Sequence, residues 1–526
     1  MPFDTRQPLS IQAIRTINVG RGSGGGGPVF NWQLPESNFI AAKRPLSLVQ
    51  PDINNIGADS FYLWAEPGEK YSVPICCNFG SFPYHFSVDG PEGMTIGSFL
   101  MLAPNGIDLI RPDNYGVVEF EVPESGMSSF TFTVTITDQN LDTLVLTLSP
   151  TVDASKFIHV APIQQGVGDG SKGDPLGSWR DLWKDDVNDS TFAGKIVKFH
   201  GGNYELFGDP VANDGNVNFN GAIKPKTLMA VDGEVPAFDC QQARIIMNGG
   251  NMNDCAFIGL SFENGRQDVS NAHFIWATGD PARPMFWRNK FNNLGPGVFG
   301  NDNPACIFIP QAGSDNPVIL SNEFSGLTGG GGNGVAAWDT YSIINGLFED
   351  NELSDSTSDH GFWCKGQHVN TSVRMNRCTN NFTGLRPLTM TLSSGQTATK
   401  DDGNAHDVEV IYNIIKNDAA GQTVNHVACQ LFNTITSGNA YNVSMDRNTF
   451  IGRVRQYNQD VTDMSYANNL YDGQFPSDAT ENNIAVFSGN EQISSGDIDE
   501  AGSYLSGAIQ YRGTKGHMIS TATQED

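Results

Sequence analysis

Between residues 339 and 377 the chain gathers side chains of the types that cut or grip a sugar chain. Asp355, Asp359, His360, Lys365, His368, Arg374 and Arg377 fall within 23 residues, and Asp339 precedes them by about one repeat. Two carboxylates about 5–9 Å apart can break a glycosidic bond as acid and base, or as acid and nucleophile. Asp339 with Asp355 or Asp359 offers such a pair. Abstracting a proton beside a uronate carboxylate needs instead a base and a cation that neutralises the carboxylate. Lys365 or His360 could be that base and Arg374 that cation. The alternative for Ser354–Gly361, rich in Asp and Ser, is a solvated turn.

A recurring strand phrase runs beside this cluster: Pro304-Ala-Cys306, Val335-Ala-Ala337, Phe362-Trp363-Cys364 and Val427-Ala-Cys429. Aligning the phrases puts Cys306, Ala337, Cys364 and Cys429 in one inward column. Alternation along a strand then turns Trp276, Trp338, Trp363, Lys365 and Gln430 outward. Exposed indoles with a lysine suit the C–H faces of a long sugar chain. The competing expectation is that inserted segments or neighbouring subunits cover them.

Such columns need an element that repeats in register. The pattern apolar-x-x-Asn-x-apolar recurs around Asn289, Asn322, Asn351, Asn376, Asn413 and Asn448, and Asn468-Asn-Leu470 closes the series. Leu260-Ser-Phe262 has the same shape without the Asn. The spacings, from 20 to 37 residues, fit coils of a single-stranded parallel β-helix with segments inserted into some of them. Asparagine suits a corner, because it tolerates unusual backbone angles and stacks into an amide ladder. The sequence therefore predicts an all-β chain with the β-helix over 153–476.

Upstream, residues 56–152 predict an antiparallel unit. In Ser129–Thr137, Phe130, Phe132, Val134 and Ile136 alternate with threonines, Asp138-Gln139-Asn140 turns the chain, and Leu144, Leu146 and Leu148 return it. Residues 1–55 are rich in Pro and Gly and predict an irregular arm. Residues 1–50 carry five basic and two acidic side chains, a net of +3 on a chain of net −27, so the arm is expected to dock on an acidic partner. Residues 164–205 predict a solenoid cap: a turn-rich segment, a short helix with Trp179, Leu182 and Trp183 on one face, and a strand Ile196–Tyr204. Residues 477–526, with eight acids against Arg512 and Lys515, predict a segment that wraps or caps the far end.

Composition narrows the function classes. A net charge of −27 over 526 residues repels phosphate backbones, so nucleic acid is not an expected partner. No apolar run reaches the length of a membrane span. The opening MPFDTRQPLSIQ lacks a basic region followed by an apolar stretch, so export by a secretory signal is not expected. Eight cysteines are too few for a disulfide framework, match no zinc spacing, and are expected to be buried thiols. Ca²⁺ between acidic segments is plausible at this charge, but there is no EF-hand pattern and no ligand can be named.

Three phrases carry resemblances. "SFPYHFSVDGPEGMTI … SSFTFTVTITD" resembles the Ig-like β-sandwich repeat of bacterial and phage surface proteins. The loop "DGS-x-x-x-P" and the strand ending "GG-x-Y" resemble the start of a right-handed, pectate-lyase-like β-helix. "DHGFWCKG" with "NTSVRMNR" resembles coils of β-helix polysaccharide lyases and phage tailspikes. An N-terminal arm and an Ig-like spacer ahead of a solenoid, with no secretory signal, resemble the arrangement of phage tailspikes, tail-tip proteins and capsid decoration spikes, and this resemblance implies a virion surface protein. It would be a homotrimer, anchored to other virion proteins through 1–55 and binding host-surface polysaccharide through the β-helix. The alternative is a polysaccharide lyase or glycoside hydrolase acting on acidic glycans, and the second alternative a purely structural decoration protein with no ligand.

Overall fold

A computed structural model describes most of residues 44–472 and the short strands 484–488, 491–492, 509–512 and 517–520. Residues 1–43 lie outside it, as do segments such as 163–167, 206–215, 393–403 and 419–426. The chain is all-β. From Phe157 onward it winds as a parallel β-helix whose strands form a 21-stranded and an 11-stranded sheet. The larger sheet is bent along its length into two faces. Strand His360–Arg374 crosses that bend, with left-handed residues at Gly366 and Asn370. Its first half registers with Trp338–Tyr341 and with Arg386–Leu392, its second half with Leu347–Glu349 and Ala405–Ile411. Each full coil thus shows three faces. The first carries the candidate site, the second meets the N-terminal unit, and the third is the 11-stranded sheet.

Strict register builds the interior. On the second face, Val197, Leu228, Phe257, Phe286, Ile319, Phe348, Val373, Val410, Met445 and Tyr466 follow one another inward from coil to coil. On the third, Phe238, Phe262, Phe291 and Phe324 stack at centroid distances of 5.7, 5.2 and 5.1 Å. These rings merge into one core that shields the backbone ladders from water.

The asparagine series is a buried ladder. Each Asn from 289 to 448 donates from its side-chain amide to the Oδ1 of the next, at 2.9–3.1 Å. The last rung is Asn469 and not Asn468. A second correction concerns the strain. The left-handed residue is the one before each asparagine: Arg288, Ser321, Asp350, Met375, Tyr412 and Arg447, all with φ between 54° and 57° except Ser321 at 53°. The ladder amides make that turn possible by satisfying the backbone groups it exposes, such as Phe286 O and Val373 O.

The N-terminal unit begins earlier than expected. Ser47–Gln50 is already a strand, paired with Cys76–Asn78, so the boundary at 55/56 moves to about residue 44. Phe132–Thr137 pairs with Thr143–Leu148 and with His85–Asp89, burying Phe132, Val134 and Ile136 as the alternation requires. This unit does not stand in line with the solenoid. It lies on the second face, where the outward Met285, Trp287, Val318, Leu320, Leu347, Ile411 and Tyr412 join its core. Strands such as Met285-Phe286-Trp287 are apolar throughout because both of their sides are buried.

At the start of the solenoid Leu182 is buried and Trp179 packs beside it, whereas Trp183 falls outside the described residues. The C-terminal strands Ile509–Arg512 and His517–Ser520 pair with each other, and the latter pairs with Asp108–Ile110 of the N-terminal unit. All eight cysteines are buried free thiols.

Candidate functional site

On the first face one outward column reads Trp276, Phe308, Asp339, Trp363, Thr389 and Gln430. Two residues further along, a second column reads Tyr341, Lys365 and Thr391. Trp276, Phe308 and Tyr341 are partly exposed, and the residues after them sink below the surface. Phe308 stacks on His273 at 4.3 Å and meets Tyr341 edge-on at 6.2 Å.

The centre is a buried ion pair. Lys365 Nζ donates to Asp339 Oδ2 at 2.8 Å, and the side chains are 8% and 0% exposed. Asp339 Oδ1 is buried and has no hydrogen-bond partner among the described residues. Burial pushes the Asp339 carboxyl up to about 6 against the opposing pull of Lys365. Burial likewise lowers the Lys365 ammonium, with Asp339 opposing. The Lys365 Nζ sits 3.2 Å from the Trp363 ring centroid, and the indole Nε1 donates to Thr391 Oγ1 at 3.0 Å. His360 stacks on the same indole at 3.6 Å and 16°. Arg386 donates to His360 Nε2 at 3.3 Å, so the imidazole carries its proton on Nδ1, which faces Thr389 Oγ1 at 3.1 Å. Burial, then Arg386 and Lys365, hold His360 well below the usual imidazole range, so this ring is neutral.

The structure thus unites Asp339, His360, Trp363 and Lys365, and places Trp276 and Gln430 in their column. Three expected residues belong elsewhere. Trp338 points inward and is fully buried, stacked on Phe362 at 4.3 Å. The expected alignment set Trp338 against Lys365, but it pairs with Phe362, three residues earlier. An odd slip reverses the face. Arg374 sits on the second face, under the N-terminal unit. It donates to Glu349 at 2.8 and 2.7 Å, to the Tyr84 hydroxyl at 2.8 Å and to Cys77 O at 2.6 Å. Its charge is spent on docking. Asp355 is exposed at φ 46°, in a corner series with Asn264, Asn293 and Gly326, residue types that tolerate left-handed backbone. Asp359 is buried next to His360, and its carbonyl accepts the Arg386 N–H at 2.9 Å.

The sequence reading missed Phe308, Tyr341, Arg386, Thr389 and Thr391. The last three share a strand, Arg386–Leu392, in which Leu388, Met390 and Leu392 alternate inward. That alternation was the available signal. Among the described residues no group of three or more His, Cys, Asp or Glu side chains is placed to hold a metal ion.

No family model and no curated protein matches the chain. Among solved structures it is similar to pectate lyase Pel9A, at 12% identity and a TM-score of 0.34 over 65% of this chain and 82% of that one. It is also similar to the catalytic domain of a GH87 alpha-1,3-glucanase in complex with tetrasaccharides, at 10% identity and a TM-score of 0.35 over 85% and 98%. The parallel β-helix itself follows from the strand register described above.

Proposed function

We propose that this protein acts on polysaccharide, holding the chain along the first face and using the Asp339–Lys365 pair for the proton transfer that cleaves it. The supporting observation is Asp339: a fully buried carboxylate with one oxygen on Lys365 and the other without a partner among the described residues. A buried polar atom left unpaired costs about 1–3 kcal/mol, and is most simply kept where a ligand hydroxyl or a transferred proton completes it. The aromatic rings of Trp276, Phe308 and Tyr341 lead up to it with coil spacing, which suits sugar rings following one another along the axis. With its carboxyl raised toward neutrality, Asp339 serves as acid or base near pH 6, and Lys365 holds it in place.

The test is incubation of the purified protein with neutral and acidic polysaccharides, following reducing ends and the ultraviolet absorbance of unsaturated uronates. Product formed by the wild type and lost in Asp339→Asn supports cleavage. Retention of a glycan without product, weakened by Trp276→Ala, supports binding alone. Neither signal across a broad panel removes both readings. We also propose, from the +3 charge of residues 1–50 on a chain of net −27, that the segment ahead of residue 44 anchors the protein to a virion. Incorporation of a chain lacking residues 1–43 into particles would refute that.

A further inference from the structure

We propose that Trp363 is the positioning residue of the Asp339–Lys365 pair, its indole held between His360 on one face and the Lys365 ammonium on the other. The catalytic meaning rests on the reading above, but the geometry stands by itself. Lys365 Nζ is 3.2 Å and the His360 ring 3.6 Å from the same indole. Two groups so nearly centred over one ring collide if they share a face, so they occupy opposite faces. The order is imidazole, indole, ammonium, carboxylate. The indole is pinned at its edge by Thr391, and the imidazole by Thr389 and Arg386.

The arrangement has a chemical consequence. A lysine stem is flexible, and its ammonium needs a second contact to stay in one place once water is excluded. The π-face supplies it and favours the charged amine, an interaction strongest when desolvated. The neutral His360 below is part of the device, because an imidazolium there would draw electron density from the ring that holds Lys365. The charged and titratable groups around the ammonium are Asp339 from the preceding coil, His360 and Asp359 on its own strand or just before it, Arg386 from the next coil, and the Tyr341 ring at 5.1 Å. Trp363 thereby sets both the place and the proton affinity of the lysine without being the proton carrier.

The test uses the full chain with lysine labelled by carbon-13 and follows the titration of the Lys365 Cε signal by NMR. In Trp363→Leu the amine pKa is expected to fall by about one unit or more, and in Trp363→Phe by less. An unchanged titration in a folded Trp363→Leu protein overturns the proposal. If that variant does not fold, Trp363→Phe and His360→Gln give the same readout, and unchanged titration in both overturns it as well. Where a substrate has been found, Trp363→Leu should lower kcat about tenfold with little change in KM, and move the pH profile. Absence of any substrate defeats the proposed function but leaves the titration result standing, so the two failures are distinguishable.

Discussion

Replacing Arg374 by Met separates docking from catalysis. The guanidinium is 1% exposed and donates through Nε and Nη2 to the same Glu349 oxygen, Oε2, as well as to the Tyr84 hydroxyl and the Cys77 carbonyl, with the Phe82 ring 4.5 Å away. Methionine keeps the apolar stem but takes the guanidinium away from the buried Glu349. Breaking a buried pair from one side costs about 3–5 kcal/mol. At about 1.4 kcal/mol per tenfold, that is an increase of roughly a hundredfold to a few thousandfold in the opening of the interface. Native-state amide exchange of the pair Ser47–Gln50 and Cys76–Asn78 reads it, because Cys77 lies in that pair and both Gln50 and Asn78 donate to the solenoid. Strands Trp338–Tyr341 and Phe362–Lys365 on the first face should keep their protection. Less than a tenfold change at the interface, or a loss of glycan cleavage with no change in exchange, would refute the assignment of Arg374 to docking.

Three further outcomes are expected. Trp338→Ala should destabilise the protein by about 3–5 kcal/mol in urea unfolding, since the ring is fully buried against Phe362 and Phe348. A cost below about 1 kcal/mol would return it to the surface. Asp339 is raised from 3.8 to about 6 in the folded state, so its contribution favours folding at low pH and is lost as pH rises through that window. The stability difference between wild type and Asp339→Asn, measured against pH, should therefore shift against the wild type as pH climbs to about 6, and a flat difference would contradict the burial argument. Asn351→Ala removes the acceptor of the Asn322 side-chain amide and the donor to Asn376 and Ile319, and should cost at least about 3 kcal/mol by orphaning several buried groups. A neutral result would mean that the ladder is dispensable.

The β-helix was legible because its signal is local and repeated. An asparagine between apolar residues marks the same corner in seven successive coils, which leaves little room for another fold. What one copy cannot reveal is register to the residue. The strand holding Trp338 was aligned three positions off, and since side chains alternate, that slip exchanged a core ring for a surface one. The corner strain was legible as a place but not as a residue, because the left-handed position can be Arg, Ser, Asp, Met or Tyr once the neighbouring amide supports it. Arg374 was misread for a different reason. Its partners Tyr84 and Cys77 are 290 and 297 residues away, and no spacing along the chain announces such a contact. Asp339 and Lys365 were each legible as candidate site residues but not as partners, because Asp339 stands opposite Trp363 and Lys365 opposite Tyr341, so their ion pair runs diagonally between coils.

The N-terminal unit also decides how the molecule bears mechanical load. Tension entering ahead of residue 44 meets anchor points spread over several coils: Arg44 on Asp407, Gln50 on Pro284 and Asn316, Asn78 on Gly346 and Asn370, and Arg374 on Cys77 and Tyr84. These links resist together, in shear, instead of failing one after another as in a peeled seam. A pull at the front is thus shared along the shaft, and the protein responds as a single stiff lever, not as two beads on a string.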